Sequence, residues 1–153
     1  MSTPQQPSCP AGAGHTHRRS PAPIRTAADA HDLVAIAVTR PLQHETLCIP
    51  LDAQGQGSVI IAVSGGAEPD FVVDLVDLVT TTLEGGPLSA LLVVSVRPAA
   101  DLLPGDGDRW WEISDLAATR GMLVREWLVV GPGGVYAPRD LVGEPERWGL
   151  VAR

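Results

Sequence analysis

The residues best able to do chemistry stand where a buried strand gives way to a polar loop. Residues 88–97 are mostly apolar and rich in Val and Leu, which predicts a strand buried on both faces. Ser95 and Arg97 lie at its end, and the Pro- and Gly-rich loop beyond it carries Asp101 and Asp108. A strand that ends in a polar loop before a helix is where α/β domains place binding and catalytic groups. We therefore expect the functional site at this strand end.

The loop itself is acidic. Four carboxylates crowd the loop and the start of the next helix, namely Asp101, Asp106, Asp108 and Glu112. Carboxylate oxygens are ligands for hard divalent cations, but this spacing matches no EF-hand loop. A solvated acidic loop is the preferred interpretation, and we expect neither a metal nor a cofactor.

Three other motifs resemble functional sites, but the sequence around each of them favours an ordinary structural role. His15 and His17 resemble a metal pair, but they lie in a Pro-rich segment with no further ligand at useful spacing. Residues 64–66, Ser-Gly-Gly, precede a helix as a phosphate cradle would, but acidic residues follow and would repel phosphate, so a plain turn is expected. His44 and Glu45 are adjacent in a strand, so they face opposite ways.

The paired tryptophans on the second helix are a different case. Helical spacing places Trp110 on the core side, and its neighbour Trp111 points about a quarter-turn away. A partly exposed Trp111 beside the strand end could anchor a partner or cap the sheet edge. Trp127, on a later strand, is predicted to lie in the core.

The hydrophobic pattern predicts an α/β domain with one mixed sheet and packed helices. The expected order is strand, strand, helix, strand, helix, strand, strand: residues 47–51, 58–63, 68–84, 88–97, 108–120, 123–130 and 135–137. Residues 33–39 fit either a strand or a short buried helix.

The totals limit the class of protein. A length of 153 residues with 44% hydrophobic content allows one domain with an ordinary core. Residues 1–30 are rich in Pro and Gly and are predicted to be a disordered tail, which leaves residues 31–153 as the domain. The formal net charge is −7, and the acidic residues concentrate in the domain, which disfavours nucleic-acid binding.

The expected location is cytoplasmic. Cys9 and Cys48 form no C-x-x-C pair and are interpreted as free thiols of a reducing compartment. No apolar run reaches the ~20 residues that span a bilayer, and the N-terminus lacks the apolar core of a secretory signal.

The strand end resembles the RadC-like branch of the JAB/MPN metalloprotease family, whose motif reads H-x-H-P-x-G-x-P-x-P-S-x-x-D. Ser95 falls on the first histidine, Arg97 on the second, Gly105 on the serine and Asp108 on the final aspartate. Residues 121–131 resemble the family's G-x-x-L-x-D-H-x-I-I-G, and Glu45 stands where the family has a glutamate before its V-x-x-L-D segment. The resemblance covers residues 44–141 and implies a cytidine-deaminase-like fold.

The same resemblance implies that the chemistry is lost. In active members the two histidines and the aspartate hold zinc, the upstream glutamate activates its water, and the serine helps to stabilise the tetrahedral intermediate. Catalytic zinc needs three protein ligands and an open position for water. Ser95 is a poor zinc ligand, Arg97 has no lone pair to offer, and Gly105 removes the hydroxyl.

A specific geometry follows from the resemblance. The second histidine and the aspartate of the family converge on one ion, so Arg97 and Asp108 should still point at each other. We predict that the Arg97 guanidinium takes the metal position and pairs with Asp108, with Asp101 or Glu45 as a second partner. Asp101, Gly105 and Trp111 are the possible cleft residues. The alternative is that Arg97 is a surface residue at a strand end.

The sequence therefore favours a non-catalytic RadC-like JAB/MPN domain that acts as a protein-interaction or regulatory module with an unidentified protein partner. Members of this family carry a DNA-repair label, but no residue here supports DNA contact. One alternative is a JAB-type metal-dependent hydrolase with an atypical site in the acidic loop. Another is an unrelated α/β ligand-binding domain, which a doubly wound parallel sheet would favour over a hairpin followed by a mixed sheet.

Overall fold

The computed structural model describes residues 22–151, which form a five-stranded sheet with helices on both faces. The helices are α1 (Ala27–Ala37), α2 (Phe71–Leu83) and α3 (Asp106–Thr119). The strands are β1 (Glu45–Leu51), β2 (Ile61–Ser64), β3 (Ala90–Val96), β4 (Leu123–Gly131) and β5 (Gly134–Tyr136). A 3-10 helix, Pro138–Val142, follows β5. The mixed α/β class predicted from the sequence is confirmed.

The sheet has the order β2-β1-β3-β4-β5. β1 pairs antiparallel with both β2 and β3, whereas β3 and β4 are parallel and β5 returns antiparallel to β4. All seven residues of the central strand β3 are buried, because helices or loops cover both of its faces. The sheet thus begins with a hairpin, β1–β2, and is mixed rather than doubly wound.

Two apolar clusters hold the layers together, one on each face of the sheet. On one face α2 and α3 pack against alternate residues of β3 and β4, with Trp110 and Trp127 among the largest fully buried side chains. On the other face α1 and the chain before it, through Val34 and Ile24, pack on the remaining alternate residues such as Leu92. Trp127 is a core residue, as predicted.

The first helix begins earlier than the sequence composition indicated. Thr26 is its N-cap: the Thr26 Oγ1 accepts a hydrogen bond from the Asp29 N–H, and the Asp29 carboxylate accepts one from the Thr26 N–H. The boundary at residue 30 is therefore corrected, since α1 starts at Ala27 and Ile24 is already buried. Residues 33–37 are helical, which resolves the choice left open there. Cys9, His15 and His17 lie outside the described residues.

Two other element boundaries differ from the predictions. The predicted strand 58–63 pairs with β1 only over Ile61–Ser64. The second predicted helix starts two residues early, because Gly105, with a φ of 86°, turns the chain into α3 at Asp106. This shift changes which carboxylate faces the strand end. No helix in the part of the chain that the structure describes is long and apolar enough to cross a membrane.

Candidate functional site

A cleft of about 180 Å³ opens where β1 begins, β3 ends and α2 begins. Antiparallel pairing places Thr46 of β1 directly opposite Ser95 of β3, and both side chains are buried. His44 and Arg97 extend the polar lining, and the segments 66–72 and 99–103 supply most of the apolar lining. The cleft therefore lies at the strand end where the sequence predicted the functional site.

The Arg97 side chain points inward and is only 8% exposed. Its Nη1 and Nη2 donate to the two carboxylate oxygens of Asp106, at 2.7 and 3.0 Å, and Asp106 is fully buried. Nη1 also donates to the Asp101 carbonyl oxygen at 3.0 Å. A forked guanidinium–carboxylate pair of this kind fixes both groups in position. The interpretation of Arg97 as a surface residue is therefore wrong.

The partner of Arg97 is Asp106 and not Asp108, so that part of the prediction is wrong. Asp108 is exposed. Successive residues of a helix turn by about 100°, so Asp108 lies about 200° around α3 from Asp106. Because α3 begins at Asp106, its first carboxylate faces the end of β3 and the second faces solvent.

The other carboxylate expected near Arg97 has a different position. Glu45 lies opposite Val96 on β1, and its neighbours His44 and Thr46 line the cleft instead. Alternation along the strand turns Glu45 to the other face of the sheet. Its predicted role as a second partner of Arg97 is therefore wrong.

Asp101, Gly105 and Trp111, predicted as cleft residues, do not line the cleft. The Asp101 carboxylate accepts a hydrogen bond from the Gly133 N–H at 2.8 Å, which ties the loop after β3 to the β4–β5 turn. Gly105 supplies the left-handed turn before α3. Trp111 is 42% exposed on α3, as its spacing predicted, while Trp110 is buried.

The two hydroxyl groups of the cleft differ in their hydrogen bonding. Ser95 Oγ accepts a bond from the buried Trp127 Nε1 at 2.9 Å. Thr46 is 4% exposed and lines the cleft, yet no group among residues 22–151 forms a hydrogen bond with its hydroxyl. The Thr46 hydroxyl oxygen is not among the fully buried polar atoms of residues 22–151 that lack a partner, so a group in the cleft can reach it.

A second arginine braces the start of α3. Arg109 donates from Nε to Asp70 at 2.8 Å and from Nη1 to Asp106 at 3.1 Å and to the Pro104 carbonyl at 3.0 Å. Burial disfavours the charged guanidinium, but the bonds to the two carboxylates outweigh it and raise the pKa of Arg109. The Asp106 carboxylate thus connects the start of α3 to the end of β3, and Arg109 connects the start of α3 to the start of α2.

The carboxylates of the loop do not assemble into a metal site. Within residues 22–151, no three side chains of His, Cys, Asp or Glu gather closely enough to hold an ion. Asp106 is committed to two arginines, and Asp101 is bonded to the β4–β5 turn. A ligand of this cleft would meet the hydroxyl groups of Thr46 and Ser95, the His44 imidazole, the charged groups of Glu68 and Arg97, and apolar walls.

From the sequence alone, Asp106 is placed only among the carboxylates of the acidic loop, not beside Arg97, and Thr46 is not singled out. The signal for Asp106 is the dipeptide Gly105-Asp106, because glycine is accepted at an N-cap and acidic residues favour the first turn of a helix. The signal for Thr46 is its alternation with the apolar Leu47, which places a polar side chain on a buried face.

No protein-family model matches the chain, and no curated protein matches it significantly.

Proposed function

We propose that this chain is a non-hydrolytic domain of the RadC-like JAB/MPN type whose strand-end cleft binds a short segment of a partner protein, making it an interaction or regulatory module. The observation that carries the proposal is the buried, forked pair between Arg97 and Asp106. It holds the fixed positive charge of Arg97 at a position where the resemblance calls for a zinc-binding histidine, and the buried Asp106 carboxylate already balances that charge.

The sheet topology supports the choice of fold type. A hairpin, β1–β2, precedes a mixed sheet in which β3 is central, whereas an unrelated doubly wound domain would have a parallel sheet. The same topology brings the start of β1 and the end of β3 together, so the cleft lies between the segments that carry the resemblance.

The size and lining of the cleft indicate the class of ligand. A volume of about 180 Å³ is smaller than the ~300 Å³ at which pockets for drug-sized ligands begin. The polar lining of the cleft comes from Thr46, Ser95, His44, Glu68 and Arg97, and Phe71 and Leu103 are among its apolar walls. Peptide amides offer both donors and acceptors for hydroxyl groups, so a few residues of extended chain fit this mixture better than a cofactor does.

Selection of phage-displayed random dodecapeptides against the full chain tests the proposal. Selected peptides should lose about 3- to 10-fold in affinity on Thr46→Val, because one neutral hydrogen bond contributes about 0.5–1.5 kcal/mol. Valine keeps the branched shape of threonine, so the strand remains intact. Affinities are measured by fluorescence anisotropy.

Thr119→Val is the matched control, since Thr119 is exposed at the end of α3 and its hydroxyl donates only locally to the Leu116 carbonyl. It should leave the affinities unchanged. The proposal is refuted if no selected peptide depends on Thr46 or Ser95, or if the chain with added zinc cleaves the peptides it binds.

A further inference from the structure

A groove of about 430 Å³ lies on the opposite face of the sheet from the cleft, between α1 and the chain segment 57–60. Leu33 and Ile36 of α1 form one wall, Val59 and Ile60 form the other, and Ile49 of β1 lies between them. Ile36 is 82% exposed, and Val59 and Ile60 are about half exposed. The groove is thus an apolar surface open to solvent.

The groove borders an edge of the sheet. The ladder with β1 pairs Leu51 with Gly57 and resumes only at Ile61, opposite Cys48. Residues 58–60 therefore bulge out of the ladder, and β2 is the outermost strand of the sheet. No strand of residues 22–151 pairs with the outer side of this edge.

Proteins blunt an exposed edge with short strands, bulges, charged side chains, proline or a covering element. This edge has a short strand and the 58–60 bulge, but it carries neither a charged side chain nor a proline. The stretch 57–64 reads Gly-Ser-Val-Ile-Ile-Ala-Val-Ser, with no charge and no proline and four β-branched apolar residues. Such a sequence is well suited to pairing with an added strand.

The charge around the groove identifies the kind of strand. Asp29 and Asp32 line the groove, and no basic side chain of residues 22–151 does. Backbone hydrogen bonds from Arg25 and Thr26 help to hold the pKa of Asp29 below its usual value, so it stays ionised at neutral pH. All 18 acidic residues of the chain lie within 22–151, whereas three of its 11 arginines do not. A second copy of this chain would bring two acidic surfaces together.

We propose that the groove and the edge of β2 bind an extended segment of a partner protein that is apolar at alternate positions and carries lysine or arginine between them. The backbone of the segment pairs with the edge at residues 58–64. Its apolar side chains then fill the groove, and its basic side chains reach Asp29 and Asp32. The site is separate from the strand-end cleft, because Ile49 and Thr46 point to opposite faces of the sheet.

The probe is a synthetic peptide of about nine residues in which valine and lysine alternate. The control peptide has glutamate in place of each lysine. The valine–lysine peptide should bind and should slow hydrogen exchange at residues 58–64. Ile36→Ser should weaken binding about tenfold or more, because it removes the burial of a large apolar side chain. Asp32→Lys should weaken binding of the valine–lysine peptide and strengthen binding of the valine–glutamate peptide.

Leu78→Ser is the matched control, since Leu78 is also exposed, at 64%, but lies on α2 across the sheet. The proposal fails if neither peptide binds, if both bind equally, or if Leu78→Ser weakens binding as much as Ile36→Ser. It also fails if sedimentation shows a dimer of the free chain that Ile36→Ser dissociates, because a second copy would then occupy the groove.

Discussion

Replacing Asp106 with asparagine should destabilise the domain far more than the same change at Asp108. The Asp106 carboxylate accepts four hydrogen bonds, two from Arg97 and one each from Arg109 and the Leu103 N–H. Asparagine is almost the same size but carries no charge, so the buried Arg97 guanidinium loses its counter-ion. Asp108 is exposed and has no such role.

The expected magnitudes are well separated. Removing one member of a buried ion pair costs about 3–5 kcal/mol, because the other charge is left buried and uncompensated. Asp108→Asn, as an exposed change, should stay within about 0.5 kcal/mol of the parent chain. A domain of this size has roughly 5–15 kcal/mol of stability, so Asp106→Asn should leave it folded but marginal.

Urea unfolding followed by tryptophan fluorescence measures these free energies. A double-mutant cycle then gives the interaction energy between Arg97 and Asp106. Arg97→Met alone should be costly for the same reason, but Arg97→Met with Asp106→Asn should cost about 2–3 kcal/mol less than the sum of the single changes. Additive effects, or equal effects of Asp106→Asn and Asp108→Asn, would refute the assignment of this pair.

Three further outcomes follow from other buried groups. Ser95→Ala should lower the free energy of unfolding in urea by about 1–3 kcal/mol, because Trp127 Nε1 loses its acceptor. In a Trp127→Phe chain, which lacks that donor, the same Ser95→Ala change should cost less. Burial raises the pKa of the Cys48 thiol to about 12, so in a Cys9→Ser chain a disulfide reagent at pH 8 should react only after unfolding. Burial also raises the pKa of Glu126, so the folded state favours the protonated form. Its contribution to stability should therefore fall as the pH rises above about 4.3, the usual pKa of glutamate. The free energy of unfolding of the parent chain, minus that of Glu126→Gln, should fall as the pH rises when both are measured at several pH values. A difference that does not change with pH would contradict this prediction.

The elements with strong local signals could be predicted from the sequence. The continuous apolar run of β3 and the amphipathic pattern of α2 are visible without any tertiary information, and both elements form close to where they were expected. The start of α1 could not be found from composition, because prolines just before it dominate the average. The capping pair Thr26 and Asp29 is a local signal that composition does not register.

The candidate site was predictable only as a location. The resemblance indicated that Arg97 turns inward, but its partner depends on which residue begins α3, and a shift of two residues exchanges Asp108 for Asp106. Thr46 enters the cleft because β1 pairs with β3 in a particular register, which a single sequence does not determine. What the sequence alone did not predict is which residues of distant segments come into contact.

The zinc content of the purified full chain, measured by elemental analysis after exposure to zinc and dialysis, tests the central claim most directly. The claim is that the Arg97–Asp106 pair stands where a hydrolytic zinc site would be. It predicts zinc far below one ion per chain, in both the parent and Asp106→Asn. Stoichiometric zinc that survives dialysis and is lost on Asp106→Asn would contradict it.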